Sequence, residues 1–183
     1  MGRDYKPLDH GNYTRAMKSM QCLSAVLAAC MFLAMPRAWA DAARTAVFPF
    51  ELVDTSLQGE MQGRAAGDSA RLTRLDTQLR DALAQSGKYT PVAAAADLAG
   101  PDLRTCGQCA TDLARKINAE FSVVGWVQKV SNLILNINIA VYDVATGTRV
   151  AGGSVDIRGD TDESWTRGLS FLLRNRILGD GGK

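Results

Sequence analysis

Histidine is nearly absent from this chain of 183 residues, and its single copy is His10. Residues 41–183 therefore contain no imidazole. This absence excludes Ser-His and Cys-His nucleophile pairs from that part of the chain, and it excludes zinc sites that use histidine. It also excludes covalent haem attachment, which needs a histidine directly after the second cysteine of the motif. We expect a protein that is not an enzyme and that holds no metal or cofactor.

Cysteine is scarce as well. Of the four copies, only Cys106 and Cys109 lie beyond residue 40, in the motif CGQC. A thioredoxin-like site has a strand before such a motif and a helix that begins within it, because the helix N-terminus lowers the pKa of the first thiol. The preceding segment LAGPDLRT is instead typical of a loop. We expect a structural disulfide at the start of a helix. A thiol–disulfide or metal-handling role for the pair is the alternative.

The chain also lacks a long apolar run. Its most apolar segment, Cys22–Met35, is shorter than the roughly 20 residues that span a bilayer. Lys18 precedes this segment, and two small residues, Ala38 and Ala40, follow it. This order is typical of a signal peptide. We predict that translation starts at Met17 and that cleavage follows Ala40.

Export would leave residues 41–183 as a single periplasmic domain without a transmembrane anchor, with residues 1–40 as an extended N-terminus plus signal peptide. A lipoprotein is the alternative, because LAAC ends at Cys30 and fits a lipidation motif.

The charges of the exported part are nearly balanced. Five of the 21 basic residues and two of the 19 acidic residues precede position 41, so 16 basic and 17 acidic residues remain. This part has no basic stripe, and nucleic acid is not an expected partner.

The segment 132–143 alternates in polarity, which predicts a strand with one face in a core. The apolar side chains are Leu133, Leu135, Ile137, Ile139 and Val141. Each contributes about 1.5–3 kcal/mol when buried, so this strand is expected to be a main part of the core. The opposite face is uncharged and carries Asn132, Asn136, Asn138 and Tyr142.

The segment Thr45–Leu52 is predicted to be a strand. Pro49 cannot donate to a β-ladder, so this strand is expected to lie at an edge of the sheet or to be broken at the proline. Phe48 and Phe50 are expected to share a face of it.

The remaining segments complete an order of strand, helix, strand, helix, three-strand meander and helix. Residues 55–67, which contain three glycines, are predicted to be a loop, and Asp68 or Ser69 is predicted to cap the first helix. The first and last helices are each predicted to bury one apolar stripe, made of Leu72, Leu75, Leu79, Ala82 and Leu83 in the first and of Trp165, Leu169, Leu172, Leu173 and Ile177 in the last. We predict an α+β domain. Its mixed sheet has a βαβ first half and an antiparallel three-strand meander, with helices packed on one face.

Acidic residues are concentrated in the segment DIRGDTDES. Asp156, Asp160, Asp162 and Glu163 surround Arg158, without the spacing of an EF-hand calcium loop. We interpret them as residues that cap the last helix, because Asp160 and Glu163 have the spacing of a capping box.

The uncharged sheet face is the candidate binding site. Aromatic and amide side chains add contact area and hydrogen bonds at low desolvation cost. The candidates are Asp54, beside the loop 55–67, and five residues of the meander: Trp126, Gln128, Asn136, Asn138 and Tyr142. The alternative is an ordinary solvated face with Trp126 buried under a helix.

Three blocks, FPFELVDTSLQGE, GWVQKVSNLILNIN and VDIRGDTDESW, resemble a proteobacterial exported family that is known as a domain of unknown function. The resemblance extends from about Thr45 to Leu178. The layout is also distantly similar to TolB amino-terminal domains and CsgG-type envelope domains. The shared features are the FPF-like opening strand, a helix that ends before Gly87 and Tyr89, the GWV strand and the DVATG hairpin.

The resemblance implies a binding module, since the TolB-like and CsgG-like relatives bind other envelope proteins and are not enzymes. It implies a non-catalytic accessory protein of the cell envelope with an envelope or periplasmic protein as its partner. The resemblance also suggests an association with periplasmic quinoprotein dehydrogenases, which belongs to the alternative role for Cys106 and Cys109. A small-ligand carrier would need a closed apolar pocket, which the pattern does not predict.

Overall fold

The computed structural model describes residue 2 and residues 41–94, 102–106 and 108–179. The chain divides into two units, residues 1–40 and 41–183, and the fold below is that of the second unit. The predicted signal peptide, its cleavage after Ala40 and the alternative lipidation at Cys30 lie outside the described residues and stay predictions.

The described residues form six strands and four α-helices. The strands are β1 (Ala43–Val47), β2 (Glu51–Asp54), β3 (Tyr89–Ala93), β4 (Phe121–Lys129), β5 (Ile134–Asp143) and β6 (Arg149–Arg158). The helices are α1 (Leu57–Gln62), α2 (Ala66–Gln85), α3 (Cys109–Lys116) and α4 (Asp162–Leu172), and α4 continues into a π-helical turn, Leu173–Ile177.

The sheet has the strand order β3-β1-β4-β5-β6, and β2 adjoins β4 beyond the end of β1. β1 is parallel to β3 and to β4, and β2 is parallel to β4. β4, β5 and β6 are antiparallel neighbours and form the predicted meander. The α+β class, the mixed sheet and its βαβ first half are confirmed.

The main hydrophobic core lies between one face of the sheet and the helices α2 and α4. The alternating residues of β5 enter it as predicted, since Leu135, Ile137, Ile139 and Val141 are fully buried. These strand residues pack against the predicted apolar stripes of the two helices, which are Leu72, Leu75, Leu79 and Leu83 in α2 and Trp165, Leu169 and Leu172 in α4. Leu133 is the exception, because it lies in the turn before β5 and is 71% exposed.

A second, smaller hydrophobic cluster lies on the opposite face of the sheet. There α3 packs through Ala110 and Ala114 in a cluster that includes Ala46, Phe48 and Val124. The prediction of helices on one face therefore holds for α2 and α4, whereas α3 covers one end of the other face.

The predicted strand Thr45–Leu52 is broken at Pro49, as the proline predicted. Its first part, β1, lies between β3 and β4, whereas β2 pairs with β4 alone in the described part of the chain. The chain advances four residues from Val47 to Glu51, while β4 advances three from Val123 to Trp126. One extra residue reverses the sides on which later side chains lie.

The prediction that Phe48 and Phe50 share a face was therefore wrong. Phe48 belongs to the cluster under α3, and Phe50 belongs to the main core. The break also turns the main-chain N–H of Phe50 away from β4, where it donates to Asp76 Oδ1 at 2.7 Å.

The glycine-containing segment 55–67 is helical in part, so its prediction as a loop was wrong. The Ser56 hydroxyl caps α1 by accepting the N–H of Gly59 at 2.9 Å. This cap offsets the low helix propensity of glycine. α2 begins at Ala66, earlier than predicted, which places Asp68 inside its first turn.

The cap of the last helix also differs from the prediction. Thr161 is the N-cap of α4, and it forms a capping box with Ser164. Asp160 and Glu163 do not form the predicted box, because the carboxylate of Asp160 is engaged elsewhere.

Gly168 allows α4 to approach the sheet closely. A Cβ atom at this position would lie 2.6 Å from Ile157 Cγ2 and 3.0 Å from Ile137 Cδ1. Only glycine fits this contact without displacement of the helix.

We predict that Gly168→Val lowers the free energy of unfolding by about 1–3 kcal/mol more than Arg167→Val does, because it overpacks the helix–sheet contact. Arg167 is a matched control, since it lies on the exposed side of the same helix. Urea unfolding followed by circular dichroism measures both. Equal losses for the two variants would contradict the close approach.

A second prediction concerns Asp76, whose burial raises its pKa although the Phe50 N–H and Arg80 act in the opposite direction. A carboxyl group whose folded-state pKa is raised adds stability as the pH falls toward its unfolded-state pKa. We expect wild type to gain stability relative to Asp76→Asn between pH 7 and about pH 4. Chemical unfolding of both proteins at the two pH values measures this difference in stability. A loss of wild-type stability relative to Asp76→Asn at the lower pH would refute the prediction.

Candidate functional site

Four strands align to form two rows of side chains on the sheet face away from α2 and α4. The first row is Glu51, Trp126, Asn138 and Ser154, and the second is Val53, Gln128, Asn136 and Asp156. We call these eight residues the amide face. The in-register meander thus brings together the predicted residues Trp126, Gln128, Asn136 and Asn138.

Hydrogen bonds order the amide groups on this face. Asn138 donates to the side-chain oxygen of Asn136, and Asn136 Nδ2 donates to Asp156 Oδ1 at 2.8 Å. The carboxylates of Asp156 and Glu51 lie at opposite ends of the rows, so the face is not free of charge as the sequence suggested. Gln128 lies in the second row and is exposed, so its amide adds a further donor and acceptor to the face.

Trp126 is half-buried at the border of the amide face. Its ring packs against the cluster under α3 and is partly exposed beside the amide face. The predicted surface position and the alternative of burial under a helix therefore each hold in part.

Apolar side chains extend the amide face toward the β4–β5 turn. Val130 and Ile134 follow the two rows, and both are exposed, as is Leu133 at the tip of the turn. The side chain of Asn132 in this turn contacts Gln58 of α1, where Leu57 and Met61 are also exposed by 70% and 76%. Adjacent exposed apolar residues of this kind are typical of a surface that binds another protein.

Two of the predicted site residues lie elsewhere. Tyr142 is opposite Ser122 and packs against the cluster under α3. The carboxylate of Asp54 accepts the N–H and the hydroxyl of Ser56, at 2.9 Å and 2.6 Å, so it supports the start of α1 on the opposite side of β2 from the amide face.

A buried charge cluster, not predicted from the sequence, lies on the helix side of the same sheet end. The side chain of Lys129 is 2% exposed, and its ammonium contacts Asp160 Oδ2 at 2.6 Å and Asp68 Oδ2 at 3.1 Å. Arg71 contacts the other oxygen of each carboxylate, and Trp165 Nε1 donates to Asp160 Oδ1 at 2.9 Å. These contacts join the end of β4, the first turn of α2 and the loop before α4.

Burial disfavours the charged form of Lys129, but hydrogen bonds to Asp160 and Asp68 outweigh it and raise the pKa of Lys129. The same competition raises the pKa of Arg71, whose burial is outweighed by Asp162, Asp160 and Asp68. Lys129 and Arg71 therefore both remain charged at neutral pH.

One sequence signal for this cluster exists. Lys129 shares the parity of Val123 and Val127, so the alternation of β4 directs a lysine toward the core, where it needs carboxylate partners. Asp160 was predicted to lie near Arg158, but its cationic partners are Lys129 and Arg71.

Cys106 and Cys109 lie at disulfide-bonding distance, with their Cα atoms 5.5 Å apart. Cys109 is the first residue of α3, and a turn, not a strand, precedes Cys106. The pairing is confirmed, and its structural role stays a prediction.

Within residues 41–94, 102–106 and 108–179, no group of three or more His, Cys, Asp or Glu side chains is placed to hold a metal ion. The helices in this part of the chain are too short or too polar to cross a membrane.

A family described as "Protein of unknown function (DUF2380)" matches residues 43–177. The chain belongs to this family. The predicted membership in a family of unknown function is thus confirmed, and export stays a prediction. A comparison with curated proteins finds no match.

Among solved structures, the chain is similar to the PelC dodecamer from Paraburkholderia phytofirmans, with a TM-score of 0.51 and 16% identity over 78% of this chain and 91% of that one. The LpoB C-terminal domain from Salmonella enterica gives 0.46 and 18%, over 67% and 87%. TolB from Acinetobacter baumannii gives 0.41 and 11%, over 73% of this chain and 28% of that one. The PelC likeness shows a shared fold, and the other two scores are too low to support a conclusion.

We predict that Lys129→Met lowers the free energy of unfolding by about 3–5 kcal/mol, because it leaves Asp68 and Asp160 buried without their cation. Adding Asp160→Asn should recover part of this loss, since one uncompensated charge disappears. Chemical unfolding of both variants, with Lys116→Met as an exposed control, measures the effect. A loss equal to that of the control would show that the cluster does not stabilise the fold.

Proposed function

We propose that this protein is an exported, non-catalytic binding module of the cell envelope, and that the amide face contacts its protein partner. The observation that supports this most strongly is the pair of side-chain rows on the part of the sheet face that lies beyond the end covered by α3. These rows combine an aromatic ring, three amides and two carboxylates with an adjacent group of exposed apolar residues.

The chemistry of this face favours protein recognition. Asn136, Asn138 and Gln128 offer donors and acceptors at fixed positions, because β-strands hold them in register. Exposed Val130, Ile134 and Leu133 supply apolar area beside them. A central apolar and aromatic area with polar groups around it is the usual composition of a protein interface.

The compartment and the class of partner form part of the proposal. The segment before residue 41 has the order of a signal peptide, which supports export to the periplasm. A partner in the envelope or periplasm follows from that location. The family is of unknown function, so its membership supports no specific reaction.

The Cys106–Cys109 pair is the basis of the alternative proposal, a thiol–disulfide or metal-handling protein that is accessory to a periplasmic quinoprotein dehydrogenase. The turn before Cys106 does not favour it, because the strand that leads into a redox-active CxxC motif is missing from that position. The disulfide is better interpreted as a clamp on the start of α3.

The proposal predicts that Asn136→Lys combined with Asn138→Lys abolishes partner binding while the melting temperature stays nearly unchanged. A photo-crosslinking amino acid placed at exposed Gln128 in cells, followed by mass spectrometry, would capture the partner. The same amino acid at Thr77, on the exposed side of α2, is the matched control.

A specific adduct at position 128, absent at position 77 and lost in the double lysine variant, is the expected result. Equal adducts at both positions would contradict a dedicated binding face. If the double variant unfolds instead, the amide face is part of the structural core and the proposal is wrong.

A further inference from the structure

The outer edge of β2 is unpaired within the described part of the chain. β3 pairs with β1 and ends beside Val47, whereas β2 has β4 as its only partner there. The space beside β2 therefore lies in line with β3, past the break at Pro49. An open strand edge of this kind presents main-chain groups that need hydrogen bonds.

The direction of these main-chain groups follows from two contacts. Thr55 donates its N–H to Lys129 O at 2.9 Å. The main-chain N–H and C=O groups of the odd-numbered residues of β2 therefore point toward β4. Phe50, of the opposite parity, donates its N–H away from β4 to Asp76. The N–H and C=O groups of Leu52 and the N–H of Asp54 therefore point outward from the sheet.

A groove of about 510 Å³ follows this edge. Leu72 and Arg64 line it on the side of α2, and Asp102 and Arg104 line it on the side of the amide face. The second wall is held in place because Glu51 accepts the N–H of Leu103 at 3.0 Å and Arg104 contacts Asp102 at 2.6 Å.

We propose that this groove is a strand-addition site, in which an extended segment of a partner polypeptide pairs with the outward-facing main chain of Leu52 and Asp54. An extended strand is the occupant because it alone presents donors and acceptors at the spacing of β2. Its alternate side chains contact opposite walls, with apolar residues toward Leu72. Arg64, which has no ion pair in the described part of the chain, favours an acidic residue at that end.

The inference is independent of the amide face, and the two sites are separable by substitution. Leu52→Pro removes an outward N–H without removing a bond to β4, so the fold should tolerate it. Leu52→Ala keeps the N–H and controls for the lost side chain. Val53→Pro removes a bond to β4 and should lower the melting temperature far more than Leu52→Pro does.

The test is a selection of displayed random twelve-residue peptides against the full chain. We expect enriched peptides with alternating apolar residues whose affinity falls at least tenfold in Leu52→Pro. The affinity should be retained in Leu52→Ala and in Asn136→Lys with Asn138→Lys. Bound peptide should also slow hydrogen exchange at the amides of Leu52 and Asp54, a measurement that needs no substitution.

Three results would overturn the proposal. The first is that no peptide is enriched. The second is that enriched peptides bind Leu52→Pro as tightly as wild type and leave hydrogen exchange at the Leu52 amide unchanged. The third is slow exchange of the Leu52 and Asp54 amides in the free chain, because residues of the chain itself would then already pair with the edge.

Discussion

The compensation of one buried charge, the ammonium of Lys129, is the constraint on which the rest of this structure depends. An unpaired ammonium in a core is too costly to persist, so Asp68 and Asp160 must both reach it. Asp68 lies in the first turn of α2 and Asp160 in the loop before α4, so this requirement ties both elements to the end of β4. The same contacts hold both helices over one face of the sheet, whereas α3 is the one described helix that packs on the opposite face.

The periodicity of the apolar residues predicted the meander and the apolar stripes of α2 and α4, because a strand or helix with one buried face repeats its apolar residues at a fixed spacing. The early helix α1 was missed because its stability depends on the cap at Ser56 and not on an apolar stripe. The side reversal at Pro49 was missed for a related reason. A single extra residue in a strand is visible only when its neighbour's register is known.

The candidate site was predicted to a similar extent. Trp126, Gln128, Asn136 and Asn138 lie together because simple alternation and a short hairpin suffice to align them. Tyr142 and Asp54 lie apart, since their environment depends on α3 and on α1, whose positions no local pattern specifies. Glu51, Ser154 and Asp156 joined the face from strands whose register the sequence did not reveal.

The break at Pro49 has a further consequence for cooperativity. Phe48 and Phe50 are two residues apart, yet each is an integral part of a different hydrophobic layer. Loosening either layer must displace this short segment and so disturb the other. The two layers should therefore melt together in one transition, although the sheet separates them and α3 contributes to the smaller one alone.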